Sequence, residues 1–223
     1  MNNSKVSIID YGIGNLFSVL RACEFVGLVP EITSDIKKIM SSDAIILPGV
    51  GAFSNAMRNL HDLDLVQPII DFSNSGKPLM GVCLGMQLLL SESEEFGNTR
   101  GLGVIEGVCK KFPNTSNGVK LKVPQITWNS ITPPNGNKNF KNNTPLEEIK
   151  SGEYMYFVHS YYANLVNEKE VLSTTNYGGI KYSSSINKNN IFAFQFHPEK
   201  SGNEGLKIYS KFNQLIKENE NRK

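Results

Sequence analysis

Short apolar runs alternate with amphipathic stretches through the first half of the chain, a pattern that predicts βαβ units and a mainly parallel sheet. Val6–Asp10 reads as a strand, followed by the Gly-rich turn Tyr11-Gly12-Ile13-Gly14-Asn15. Leu16–Val26 has helical spacing at Leu16, Val19, Leu20 and Cys23 and stops at Gly27. Ala44–Leu47 is a second buried strand, ending in Pro48-Gly49-Val50-Gly51. Asp64–Asn74 reads as a helix stopped by Gly76, Pro78–Val82 as a third strand, and Leu84–Glu94 as the helix that follows it. From about Gly101 the pattern turns to strands: Gly103–Cys109, Lys120–Val123, Tyr154–Val158, Val171–Thr175, Ile180–Ser184 and Ile191–Gln195. Pro133–Pro145 is a polar surface excursion. Gly205–Glu218 sets Leu206, Tyr209, Phe212 and Ile216 on one helical face. The expected fold is α/β, a mainly parallel central sheet flanked by helices with a β-rich second half, and the expected organisation is one domain over residues 1–223.

Composition narrows the class. With 39% hydrophobic and 20% charged residues in 223, the chain can bury a core and is not a disordered tail. No apolar run reaches the roughly 18 residues of a membrane span. A net charge of +2 without a basic stripe is a poor footprint for nucleic acid. Cys23, Cys83 and Cys109 are too few and too scattered for a disulfide framework. The N-terminal stretch before Val6 lacks the apolar core of a secretory leader. Together these predict a cytoplasmic protein whose cysteines matter as thiols.

The most informative segment is Pro78-Leu79-Met80-Gly81-Val82-Cys83-Leu84-Gly85-Met86-Gln87. A buried strand, then Gly-x-Cys-x-Gly, then a helix is the cysteine form of a nucleophile elbow. The glycines leave room for a sharp strand-to-helix turn, and a helix N-terminus favours a thiolate at Cys83. A buried structural cysteine is the competing reading, and the flanking glycines argue against it. A thiol nucleophile needs a base and the base an orienter. His197 and Glu199, in Phe194-Gln195-Phe196-His197-Pro198-Glu199, are two apart and project to one side of extended backbone. His61, in a polar stretch, is left without a role. Oxyanion donors are expected from the Pro48–Gly51 loop, with the N–H groups of Val50 and Leu84 as the pair and Gly51 beside them. Phe17 occupies the third glycine position of a dinucleotide fingerprint, and metal-ligand spacings are missing. No cofactor and no metal are expected.

These segments together resemble the class I, triad-type glutamine amidotransferases. More narrowly they resemble the glutaminase subunits of imidazole glycerol phosphate synthases. The resemblance runs in family order through Asp10–Leu16, Leu47–Phe53, Gly81–Leu89, Gly101–Gly103, Tyr156–Tyr161 and Gln195–Ser201, nearly the whole chain. It implies the class I amidotransferase fold and L-glutamine as substrate, with Cys83 as nucleophile, His197 as base and Glu199 as its orienter. It also implies Gln87, His159, Ser160 and Tyr161 around the bound glutamine, and a (β/α)8-barrel synthase partner that receives the ammonia in a heterodimer. That partner would make imidazole glycerol phosphate and AICAR in histidine biosynthesis.

The family segment facing the partner usually reads Pro-His-x-Gly-Trp-Asn. Here it is Pro124-Gln125-Ile126-Thr127-Trp128-Asn129, so Pro124, Gln125, Trp128 and Asn129 are the expected interface. Glu106 likewise stands where a small residue is usual. The altered segment keeps a second reading open, a paralogue that supplies ammonia to acetamidino-sugar formation in surface glycan biosynthesis. An inactive regulatory module would have lost one of Cys83, His197 or Glu199. A peptidase of the same fold would not need the Gln195–Ser201 and His159–Tyr161 motifs together.

Overall fold

The computed structural model describes residues 4–116 and 118–221. In chain order the first half is β1 (Lys5–Ile9), α1 (Leu16–Phe25), β2 (Val29–Thr33), α2 (Ile36–Ser41), β3 (Ala44–Leu47), α3 (Phe53–Asp62), α4 (Val66–Asn74), β4 (Leu79–Val82) and α5 (Leu84–Leu88). Strands then dominate: β5 (Leu90–Ser93), β6 (Thr99–Arg100), β7 (Ile105–Lys111), β8 (Thr115–Ser116), β9 (Val119–Lys120), β10 (Gln125–Ser130), β11 (Tyr154–His159) and β12 (Tyr161–Leu165). The chain closes with β13 (Val171–Tyr177), β14 (Ile180–Lys188), β15 (Ile191–Phe194) and α6 (Gly202–Glu220).

One sheet of 11 strands organises the molecule, in the order β2-β1-β3-β4-β15-β14-β12-β7-β5-β6, with β13 paired to β14. The run from β2 to β15 is parallel, and β14, β12 and β7 continue it antiparallel. The expected mixed α/β sheet with a β-rich second half is therefore present. β10 and β11 form a separate antiparallel pair.

Period-2 alternation splits the apolar side chains between the two faces of this sheet. Val6, Ile8, Ile46, Met80, Val82, Phe192 and Phe194 pack on one side with Val19 and Cys23 of α1 and Ile208 and Phe212 of α6. Ile9, Ile45, Leu47, Leu79 and Ala193 pack on the other with Phe53 and Met57 of α3 and Ile69 and Phe72 of α4. Burying each such side chain stabilises the fold by about 1.5–3 kcal/mol. The buried stripe expected for the last helix is there in Tyr209, Phe212 and Ile216, all at 0% exposure.

Among the differences from expectation, one boundary and one surface segment have a plain physical reason. The helix expected over 84–94 ends at Leu88, and its second half becomes β5. Leu88, Leu89 and Leu90 are all fully buried, a run that helix and strand satisfy equally by periodicity alone. Pairing with β7 decides for strand. The Pro133–Pro145 excursion is not wholly superficial either, because Phe140 and Thr144 are buried within it. Among the described residues no helix is long and apolar enough to cross a membrane.

Candidate active site

β4 delivers Cys83 to the carboxyl edge of the parallel strands, where open α/β sheets hold ligands. Cys83 adopts φ 54°, ψ −110°, a conformation that bulky L-residues seldom take. Strain of that kind costs about 1–3 kcal/mol and persists only where the surroundings enforce it. They do so here. A Cβ on Gly85 would overlap the Leu47 carbonyl, and one on Gly81 would stand 3.1 Å from the Met86 nitrogen and 3.2 Å from the Ala193 Cβ. Space requires the glycine at 85 and favours it at 81, while the strain sits on the cysteine. The Cys83 N–H donates to the Phe194 carbonyl at 2.7 Å, tying the elbow to β15. With only Leu84–Leu88 behind it, the elbow has less helix dipole than the longer expected helix would give. All three cysteines are free thiols.

His197 lies just beyond β15, 2% exposed, with Nδ1 2.8 Å from Oε1 of Glu199. The reason the two meet differs from expectation. His197 is extended, but Pro198–Lys200 forms a 3-10 turn that folds the carboxylate back onto the ring. The Ser201 hydroxyl donates to the His197 carbonyl at 2.7 Å and accepts from the Tyr156 N–H at 3.0 Å, which locks the turn. The other ring nitrogen, Nε2, is buried and closes on no partner in the resting site. Burial works against a charged imidazole, but the charge of Cys83, and after it the hydrogen bond and charge of Glu199, outweigh it and push the His197 pKa up to about 10.

Val50, Gly51, Leu84, Gln87, His159, Ser160, Tyr161 and Pro124 line one cavity of about 300 Å³ together with Cys83 and His197. The Leu84 N–H opens α5 and has no intrahelical acceptor. The Pro48–Gly51 loop is held from below by the buried Tyr11 hydroxyl, which donates to the Pro48 carbonyl at 2.6 Å. A Cβ on Gly49 would overlap that hydroxyl. Burial, and to a lesser extent Cys83, push the Tyr11 phenol well above its ordinary pKa, so it stays a neutral donor. His159 is likewise neutral, its pKa pulled down by burial to about 4, with Nδ1 2.8 Å from the Tyr161 carbonyl. Its ring packs among Phe112, Phe157 and Tyr182.

Two lining residues were not anticipated, Val158 and Glu95. Glu95 follows β5, and its Oε2 accepts from the Phe53 N–H at 2.5 Å, so the carboxylate is anchored beside the Cys83 cavity that it lines. The acidic run Glu92-Ser93-Glu94-Glu95 after the elbow was its only signal. Among the described residues no cluster of acidic, histidine and cysteine side chains could hold a metal ion.

The expected partner segment divides in two. Trp128 is 49% exposed and stacks edge-on against Tyr156 at 6.0 Å, and Ile126 and Tyr154 stand exposed on the same face of the β10–β11 ribbon. Asn129 donates to the Asn176 carbonyl at 2.9 Å. Gln125 corrects the expectation: strand alternation turns its side chain inward to 0% exposure, where its oxygen accepts from the Tyr182 hydroxyl at 3.1 Å. In this chain its side chain is part of the interior.

Comparison with known proteins agrees with this geometry. The profile of glutamine amidotransferase class-I matches residues 7–215. The chain is 46% identical over 213 residues to the imidazole glycerol phosphate synthase subunit HisH of Caldanaerobacter subterraneus subsp. tengcongensis, covering 95% of this chain and 98% of that one. It is 43% identical over 213 residues to HisH 1 of Legionella pneumophila strain Lens, covering 95% and 100%. The structure of PurLQS from Thermotoga maritima superposes with a TM-score of 0.70 at 19% identity, covering 95% of this chain and 98% of that one, a likeness of fold. An elbow cysteine, a buried imidazole–carboxylate pair and a match over almost the whole sequence agree: this chain belongs to the class-I glutamine amidotransferase family.

Proposed function

We propose that the chain is the glutaminase subunit of an imidazole glycerol phosphate synthase, acting as one domain through a Cys83–His197–Glu199 triad. The observation that carries the reading is a strained thiol, a buried imidazole–carboxylate pair and one anchored carboxylate around a single amino-acid-sized cavity. The thiolate of Cys83 attacks the γ-carboxamide carbon of glutamine, and the N–H groups of Val50 and Leu84 receive the oxyanion. His197 gives its proton to the departing nitrogen, leaving a γ-glutamyl thioester and ammonia. Water then adds, His197 takes its proton, the carbon–sulfur bond breaks, and glutamate leaves with the thiolate restored. Glu199 holds the ring and stabilises its charge. Glu95 pairs with the substrate α-ammonium, and the 159–161 backbone borders its α-carboxylate.

The exposed Ile126, Trp128, Tyr154 and Tyr156 face is the seat of a (β/α)8 synthase subunit, since aromatic anchors of this kind dominate interfaces. The named relatives favour this partner over a sugar-pathway one. We place the pair in the cytoplasm, in histidine biosynthesis, with no nucleic-acid or membrane partner. The test is glutaminase activity of the chain mixed with the histidine-pathway synthase subunit of the same organism, with and without that subunit's ribonucleotide substrate. Strong stimulation is expected. Absence of both complex and stimulation would sink the assignment of partner.

A further inference from the structure

One polar side chain at the nucleophile has no part in the scheme above. Gln195 follows β15, is fully buried, and carries its amide nitrogen 3.8 Å from the Cys83 sulfur. Its position follows from register. Phe194 lies opposite Val82 in the parallel β4–β15 pair, so the next residues along are Gln195 and Cys83. Gln195 and His197, both in the segment just beyond β15, come to Cys83 from the same strand end. One strand end therefore supplies both an imidazole and an amide to the sulfur.

The orientation of that amide follows from its neighbours. The Tyr161 carbonyl can only accept, so the Gln87 group 3.0 Å from it is the amino end. The same Gln87 nitrogen stands 2.9 Å from the Gln195 side-chain oxygen. Gln195 must then turn its own amino group to Cys83. The Tyr161 carbonyl at the root of this chain is fixed a second time by His159 Nδ1.

We propose that Gln195 is a catalytic residue that holds the Cys83 thiolate through an N–H···S hydrogen bond, and that Gln87 is the positioning residue that sets its amide the right way round. The proposal rests on the glutaminase reading of the same site. A thiol can offer its proton to the Val158 carbonyl 3.9 Å away, whereas a thiolate has none to offer and is repelled by that oxygen. A fixed amide donor reverses the preference. It also serves the second half-reaction, when His197 is occupied with water and the sulfur leaves as an anion. Besides His197, the titratable groups that feel the charge of Cys83 are Tyr11 and Cys109, and Glu95 and His159 line the same cavity.

The test is the pH dependence of Cys83 alkylation by iodoacetamide, followed by peptide mass spectrometry on the full chain beside glutaminase turnover in the complex. Cys23 and Cys109 are buried, with pKa values pushed up by burial, and serve as slow internal references. Gln195→Met keeps volume and removes the donor. Its alkylation midpoint is expected to rise by about one pH unit, a roughly tenfold slower reaction on the acid side, with the high-pH plateau unchanged. Gln87→Met is expected to shift the midpoint in the same direction by less. A packing role would lower the thermal midpoint and leave the alkylation midpoint where it was. An unshifted midpoint in folded Gln195→Met overturns the proposal; should that variant not fold, an unshifted Gln87→Met does so. A shifted midpoint in Gln195→Met, in a protein whose wild type shows no glutaminase activity in the complex, would sink the substrate reading and keep the donor.

Discussion

Glu199→Gln is the sharpest single perturbation of the proposed triad, because it changes charge and almost nothing else. The wild-type carboxylate is 1% exposed and 2.8 Å from His197 Nδ1. The glutamine oxygen can still accept from Nδ1–H, so ring orientation and tautomer survive. What is lost is the charge that stabilises the imidazolium. Hydrogen bonds to charged groups are worth about 1.5–3 kcal/mol against about 0.5–1.5 for neutral ones, and the difference of about 1–1.5 kcal/mol, at about 1.4 kcal/mol per decade, predicts a roughly 5- to 12-fold lower rate. The loss should fall on kcat, since His197 acts on the departing nitrogen and not on bound glutamine. Glutamate release at saturating glutamine, coupled to a dehydrogenase and measured in the partner complex, reads it directly. Turnover within about threefold of wild type, or a change confined to KM, would refute the reasoning.

Glu95→Gln should instead raise KM for glutamine about tenfold or more with a smaller effect on kcat, because the α-ammonium loses its counter-charge; an unchanged KM removes Glu95 from the substrate site. Gly85→Ala drives a Cβ into the Leu47 carbonyl and should cost about 1–3 kcal/mol together with most turnover, read as a lower thermal midpoint and a lost elbow. His159 carries an acid liability. Unfolded it protonates near its ordinary pKa of 6.5, but folded only near 4, so between these values the unfolded state binds the extra proton and stability falls with falling pH. The loss across that window is roughly 3 kcal/mol. His197, with its raised value, loses its contribution only as pH climbs from 6.5 towards 10, so it adds no slope on the acid side. Urea midpoints of His159→Gln should be flatter than wild type from about pH 6.5 to 4.5; parallel curves would count against the burial argument.

The sequence made the elbow, the imidazole and its carboxylate legible because each depends on local chemistry: glycines where a Cβ would collide, and a donor–acceptor pair two residues apart. Less legible were features decided by tertiary pairing. Leu88–Leu90 satisfies helix and strand alike, and only the presence of β7 alongside makes it a strand. Gln125 looks like surface beside Trp128, yet strand parity sends the two to opposite faces. Glu95 is marked only by its acidic run, because nothing local says that the loop after β5 bends back to the Phe53 amide.

The strand order has a consequence for synthesis. β4 lies between β3 and β15, and β15 is the last strand made. Until residues 191–194 leave the ribosome, one long edge of β4 is bare and the Cys83 amide has no acceptor. A nascent chain at that stage holds Cys83 but neither His197 nor Glu199, and presents an edge that invites association with other chains. Closing it joins segments separated by more than half the sequence, a step that slows folding. The same short strand that seals the sheet brings His197 with it, so the thiol can meet its base only in a chain whose sheet is complete.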